Sequence, residues 1–185
     1  MATYLVGADL SASQFDFSIF EKADLRGVDL RDTSFRDVDA EEANFGINSP
    51  DETELPEART EGLDLTRADL HRAAISLPQI LSAKGYDASP SCLAILGAVY
   101  ADNPHYRDVT RAVTCYQKSF RMYEELFRRE VRLDHIERAA EFVKRALDVK
   151  AAMHKLKQVS LPAGNAFQND RVNLLLTATT QTGTK

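Results

Sequence analysis

The sequence predicts a mixed β and α protein, with a chain that winds in square coils at the N-terminal end followed by an α-helical region containing a helical hairpin. Two observations predict it. Through the first 45 residues, apolar side chains recur every five positions, a spacing that fits neither the helix period of 3.6 nor the strand period of 2. From Ser76 onward that beat gives way to helix-start and helix-stop signals.

Large apolar residues stand at Leu5, Leu10, Phe15, Phe20, Leu25, Leu30, Phe35 and Phe45, with Ala40 the small member of the series. Two places before each lies a small or β-branched residue: Thr3, Ala8, Ser13, Ser18, Ala23, Val28, Thr33, Val38 and Ala43. On an α-helix, positions five apart scatter around the surface, so a helix does not explain the pattern. A chain that turns a corner every five residues around a narrow core does. Four corners close a coil of twenty residues, and the sequence agrees, because Leu5 then stacks on Leu25, Leu10 on Leu30 and Phe15 on Phe35. Stacked coils satisfy one another's backbone groups at strand spacing, about 4.8 Å. About three to four coils are expected, and their ends need covering.

The residue between the small and the large position is often Asp or Asn, as in Ala8-Asp9-Leu10, Ala23-Asp24-Leu25, Val28-Asp29-Leu30 and Ala43-Asn44-Phe45, and again in Leu63-Asp64-Leu65 and Ala68-Asp69-Leu70. With these residues the chain resembles the pentapeptide-repeat family over 3–45 and 63–77. The resemblance implies a right-handed quadrilateral β-helix, with the large and small positions inward and the other three outward. It also implies a non-catalytic role in binding other proteins.

Between the two repeat stretches, Asn48 to Gly62 contains Pro50, Pro56 and five acids, a composition that predicts an exposed acidic loop over 47–62. The alternative is a degenerate coil through Thr53-Glu54-Leu55 and Ala58-Arg59-Thr60, because Leu65 lies twenty residues after Phe45. The domain reading is therefore 1–77 for the solenoid, 78–160 for the helical region and 161–185 for a tail, in which Val172 to Thr177 reads as a short strand or docked segment.

In the helical region, Leu77 to Ala83 reads as a short helix placed to cap the last coil. Ser89 before Pro90 is an N-cap with proline in the first turn, opening a helix that stops before Pro104. Val109, Ala112, Val113, Tyr116, Phe120, Tyr123 and Phe127 mark one face of a long helix. Asp134 with Glu137 resembles a capping arrangement, and Ile136, Ala140, Val143, Leu147 and Ala151 mark the face of the next. A hairpin is favoured over one continuous helix. Leu96-Gly97-Ala98-Val99-Tyr100 with Asp108, Ala112 and Tyr116 is similar to a single Sel1-like or tetratricopeptide unit, a resemblance of about 30 residues that implies protein binding.

Charge divides the chain. Residues 1–77 carry 17 acids and 7 bases, net −10, whereas 78–185 carry 11 acids and 16 bases, net +5. The asymmetry bears on partners rather than on fold, and it suggests self-association through the C-terminal helices. Arg128, Arg129, Arg132, Arg138, Lys144 and Arg145 alternate with glutamates, which reads as a solvated helix face rather than a nucleic-acid site.

Catalytic constellations are missing from the sequence: there is no HExxH, GxSxG, P-loop or GxGxxG, and His71, His105, His135 and His154 are dispersed. Cys92 and Cys115 read as buried thiols. No catalytic, metal or cofactor site is expected, no apolar run approaches the roughly 20 residues that cross a bilayer, and the start lacks a basic n-region, so a cytoplasmic location is expected. The candidate partner-binding residues are the outward acids and amides Asp9, Asp24, Asp29, Asp39, Asn44, Asp64 and Asp69. The expected function is a scaffold or regulatory protein with a protein partner. Alternatives are a DNA mimic acting on a type II topoisomerase, which the family resemblance suggests, and a translocated bacterial effector or adaptor.

Overall fold

A computed structural model describes residues 3–46 and 56–160, the side chains of the last four excepted. It divides into two compact units, Met1–Arg107 and Asp108–Lys185. The segment 47–55 and the tail 161–185, with its expected strand at Val172 to Thr177, lie outside the described residues.

The first unit is built from one turn repeated. After each large residue the chain reverses, and the amide of the next unit's small residue donates to the carbonyl three places back, as from Ala8 to Leu5 (2.9 Å), Ala23 to Phe20 (2.9 Å) and Ala68 to Leu65 (3.0 Å). The third residue of each turn has positive φ, the conformation a type II turn requires. Gly7, Gly27 and Gly62 supply it without steric cost, but Ala12, Phe17, Lys22, Asp32, Asp37, Glu42, Arg67 and Arg72 adopt it with a Cβ present. Coil contacts hold these residues there.

Successive coils meet through isolated parallel bridges, one residue per unit, with no continuous strand among the described residues. The bridges join Tyr4 to Asp24, Asp9 to Asp29, Gln14 to Ser34 and Ile19 to Asp39, each twenty residues apart. Beyond Phe45 the separation becomes thirty: Asp29 bridges Arg59, Ser34 bridges Asp64, Asp39 bridges Asp69 and Asn44 bridges Ala74. Ten residues have therefore been inserted after Phe45. The loop expected over 47–62 is shorter than that, because Ala58-Arg59-Thr60 is a coil unit, with Ala58 and Thr60 buried. Leu65 consequently sits in line with Phe35 rather than Phe45, since the amide of Phe35 donates to the carbonyl of Asp64 (2.9 Å). The five-residue phase survived the insertion only because ten is a multiple of five.

Inside the coils Leu25, Leu30, Phe35, Phe45, Leu63, Leu65 and Leu70 are sealed from water. Where Ala40 breaks the stack of large residues, the Phe20 ring lies against Phe35, 4.8 Å between centroids. Two polar residues at inward positions are fully buried, and both are satisfied: the Thr33 hydroxyl donates to the Leu10 carbonyl (2.8 Å) and that of Thr60 to the Gln79 carbonyl (3.0 Å).

The C-terminal end of the stack is closed by the elements that follow it. Helix α1 (Leu77–Ser82) starts at a capping box of Ser76 and Gln79. The Gln79 amide nitrogen also donates to the carbonyls of Phe45 (3.0 Å) and Ala58 (2.9 Å), the two points where the inserted segment leaves and rejoins the coil. Lys84 exchanges backbone hydrogen bonds with Leu63 and Leu65, as the next coil would. Gly85 (φ 67°) lets the chain leave that position, since a Cβ there would meet the Thr66 amide nitrogen at 2.8 Å. Ser89 and Ser91 then occupy the neighbouring face. Both hydroxyls donate to the Ala68 carbonyl (2.6 and 3.2 Å), and that of Ser91 accepts from the Leu70 amide (2.8 Å). Ser89 also N-caps helix α2 (Pro90–Asp102). Three side chains thus stand in for a missing coil.

The second unit is a hairpin of α3 (Val109–Arg132), capped by Asp108, and α4 (Ile136–Ser160). Asp134 does not cap α4. It takes φ 60° in the connection, and His135 immediately precedes the helix, its Nδ1 2.8 Å from an oxygen of the buried Glu130. The buried stripe of α3 follows expectation at Ala112, Tyr116 and Tyr123, with Ser119 among them. That of α4 does not: Ala139, Phe142, Ala146, Val149 and Leu156 are buried, together with Arg145, which charge alternation had placed on a solvated face. Helices α2 and α3, which the Sel1-like resemblance would join, fall in different units.

Two outcomes follow from the coil. Replacing Ala12 with glycine removes a left-handed penalty of roughly 1–2 kcal/mol against an unfolded-state entropy cost of about 0.4–1 kcal/mol, so urea denaturation should show a gain of about 0.5–1 kcal/mol. Gln79→Ala strips a donor from two buried carbonyls, one of which keeps the Ala58 amide. The expected loss in the same experiment is about 2–3 kcal/mol, and a loss below 0.5 kcal/mol would show that water replaces the amide.

Candidate functional site

The seven outward residues singled out from sequence sit where the repeat places them. Asp9 stacks on Asp29, Asp24 on Asn44, and Asp39 on Asp69, while Asp64 bridges both Ser34 and Lys84. Each turns its side-chain oxygen back on its own chain. The oxygen accepts the amide two residues on: Ser11 for Asp9 (3.1 Å), Arg26 for Asp24 (3.2 Å), Arg31 for Asp29 (3.2 Å), Glu41 for Asp39 (3.1 Å), Gly46 for Asn44 (2.9 Å), Thr66 for Asp64 (3.0 Å) and His71 for Asp69 (3.1 Å). This is the short-range bond that makes Asp and Asn turn formers. The residues that looked like a recognition stripe fasten the corners of the coil.

Arginines hold the same carboxylates from outside. Arg26 meets Asp24 through two nitrogens (2.9 and 2.7 Å), Arg31 and Arg59 both reach Asp29 (2.6 and 3.2 Å), and Arg36 reaches Asp64 (3.2 Å). The Arg31 hydrogen bond is the main reason the Asp29 carboxyl is held down to about 2, and Arg26 lowers Asp24 in the same way. Asp9 is lowered chiefly by the Ser11 hydroxyl. Three of the six carboxylates, Asp24, Asp29 and Asp64, are therefore paired with arginine on the coil surface.

The N-terminal end of the stack differs from the C-terminal end. Within coil 1 (3–22), the second residue of each unit, Tyr4, Asp9, Gln14 and Ile19, has no backbone hydrogen-bond partner for its amide or carbonyl among the described residues. Leu5, Leu10 and Phe15 are only half-buried, whereas their counterparts one coil later are sealed. Around this rim stand four exposed apolar side chains, Tyr4 (76% exposed), Val6 (39%), Phe17 (76%) and Ile19 (74%). Tyr4 and Ile19 occupy the outward position that Asp24 and Asp39 take in the next coil. The signal was present in the sequence as apolar residues in the Asp/Asn column.

Residues 3–46 match the family model of pentapeptide repeats, in eight copies. They are pentapeptide repeats. The family model stops where the ten inserted residues begin, although the coil register continues through Ala74 and Lys84. Pentapeptide-repeat proteins are generally non-catalytic interaction or scaffold proteins. No curated protein and no solved structure matches the chain.

Elsewhere, among the described residues, no group of three His, Cys, Asp or Glu side chains is placed to hold a metal ion, and no helix is long and apolar enough to cross a membrane. The histidines stay apart: His71 follows a corner, His105 donates its amide to the Asn103 side chain (2.9 Å), His135 pairs with Glu130 and His154 is exposed. Cys92 is buried as expected, and burial pushes its thiol up to about 12, out of nucleophilic range. Cys115 is half-buried rather than buried.

Asp29 supplies a pH test. A depressed folded-state value means a contribution present above the unfolded value of 3.8 and lost as pH falls toward 2. Asparagine keeps the bond to the Arg31 amide but not the charge. Asp29→Asn should lower stability near pH 6 and leave it less sensitive between pH 4 and pH 2 than the parent, as read from urea midpoints; equal slopes would mean that the arginine pairs add nothing.

Proposed function

We propose that this is a non-catalytic interaction protein whose coils form a short right-handed quadrilateral β-helix and whose partner binds at the open first coil. One observation carries this reading: one end of the stack is closed by Gln79, Lys84, Ser89 and Ser91, while the other combines backbone groups that have no partner among the described residues with exposed Tyr4, Val6, Phe17 and Ile19. An edge of that kind is a template for an added extended segment, and the apolar rim supplies side-chain contacts for it. The coil below is rigid, so little ordering cost is expected on binding. The partner chemistry that fits is an extended, apolar peptide segment rather than a cation or a nucleic acid.

The topoisomerase-directed DNA mimic would need outward carboxylates free to imitate phosphates. Arginine pairing of Asp24, Asp29 and Asp64 weighs against it.

The full chain, immobilised and exposed to lysate of its native host, tests the site. The double variant Tyr4→Ser, Ile19→Asp should lose its retained protein at least tenfold, while Asp24→Asn with Asp64→Asn should keep it. Equal retention by the first-coil variant would end the proposal. Inhibition of gyrase supercoiling that depends on Asp24 and Asp64 would favour mimicry instead.

A further inference from the structure

In the sequence, the basic residues of the hairpin alternate with glutamates, the pattern of a solvated helix face. The structure breaks that alternation on α3. Glu124 and Glu130 are buried, so the exposed charges of this helix are basic at Arg111, Lys118, Arg121, Arg128, Arg129 and Arg132 and acidic only at Glu125. Helix α4 differs, because among the exposed charges of its described residues Glu137, Glu141 and Asp148 balance Arg138, Lys144 and Lys155. The excess belongs to one helix face and not to the hairpin as a whole.

At about 100° per residue the six bases fall within an arc of about 100°, roughly opposite the buried Ala112, Tyr116 and Tyr123. They form two rows, with Arg121 and Arg128 along one edge of the arc, Arg111, Lys118 and Arg129 along the other, and Arg132 between them. From Arg111 to Arg132 the face runs about 31 Å. Part of it has a local explanation. Arg111 pairs with Asp108 (3.3 Å) and Arg129 with the buried Glu130 (3.5 Å), and Arg129 and Arg132 both lie in the last turn, at the negative end of the helix dipole. Arg121 and Arg128 have no ion-pair partner among the described residues. Arg128 and Arg132 stand four apart, a like-charge spacing that costs helix stability. A face serving solubility alone gains nothing from such repulsion and would mix its signs as α4 does.

We propose that this face of α3 binds the phosphate backbone of double-stranded DNA, without regard to base sequence. Five of the six bases are arginine, whose planar fork matches phosphate oxygens. The exposed residues of α3 include no aromatic side chain and no large apolar one besides Val131 near its end. That absence separates the polyanions. A protein interface centres on apolar and aromatic anchors, a membrane-surface helix needs apolar residues to insert beside its bases, and a single-stranded nucleic acid is held by stacking on aromatic rings. Duplex backbone needs none of these, because its affinity comes from releasing counterions as phosphates are neutralised. An α-helix fits the major groove of DNA, and two rows of bases on one face point toward the two strands that flank it. The site is independent of what the first coil binds.

Fluorescence anisotropy of a labelled duplex of mixed sequence, about 24 base pairs long and titrated with the full chain at roughly 50 and 150 mM NaCl, decides it. The wild type should bind with Kd below about 100 µM at the lower salt and weaken about twentyfold or more at the higher, since three phosphate contacts alone give log K a slope of about −2.7 against log salt. The triple variant Arg121→Gln, Arg128→Gln, Arg132→Gln should bind at least tenfold more weakly and with a flatter salt slope, its far-ultraviolet helix signal unchanged because all three positions are exposed. Arg138→Gln, Lys144→Gln, Lys155→Gln removes the same charge from α4 and should stay within threefold of the wild type. Glu125→Gln, which removes the acid from the face, should tighten binding twofold or more. A wild-type chain that leaves the duplex free at 100 µM and 50 mM salt overturns the proposal, as does an equal loss in the two triple variants. Competition by polyglutamate as strong as by unlabelled DNA, charge for charge, overturns it in favour of an acidic protein, and equal competition by anionic lipid vesicles in favour of a membrane surface.

Discussion

The structure of the first unit depends on a corner that repeats every five residues. Each corner is closed by a hydrogen bond from the small residue back to the large residue of the preceding unit and holds its third residue at positive φ, and where Asp or Asn stands at the second unit residue its oxygen fastens the corner as well. Once the corner is fixed, the rest is forced. The large side chain points into the coil, the amides and carbonyls on either side of it face along the stack, and the next coil must lie directly beneath to satisfy them. Positive φ at eight non-glycine residues of the coils shows how strongly stacking overrides local preference.

That corner also decides what the acidic residues are for. An Asp column on a solenoid invites a reading as a charged recognition strip, yet the first demand on each carboxylate is the amide two residues away, and several have an arginine as well. Charge-assisted bonds of this kind satisfy both partners within the chain. The exposed apolar side chains Tyr4, Val6, Phe17 and Ile19 all stand on coil 1, and it is there that the proposed function places a partner.

The two ends of the stack show how a run of coils is stopped. After the last coil unit the chain still owes hydrogen bonds to Leu63, Leu65, Ala68 and Leu70, and it supplies them with one residue of backbone at Lys84 and the hydroxyls of Ser89 and Ser91. Gln79 settles the carbonyls at the inserted segment. Among the described residues coil 1 has no such substitutes, and its outward-facing amides and carbonyls keep the same requirement that the coils below satisfy by stacking.

The period-five spacing of Leu and Phe by itself determined that the chain winds in twenty-residue coils, and Ser89 with Pro90 marked where a helix begins, because turns and caps are local and their chemistry is written in adjacent residues. Three matters were decided only by tertiary structure. The register beyond Phe45 depends on which coil Ala58-Arg59-Thr60 lies under, and a ten-residue insertion leaves the five-residue phase unchanged, so spacing cannot reveal it. The buried face of α4 depends on which of two apolar stripes meets α3, a choice made by the partner helix and not by periodicity. The role of the Asp column depends on distances to amides and guanidinium groups that a sequence pattern does not contain. Contacts between distant residues settle such questions, and a local pattern carries no record of them.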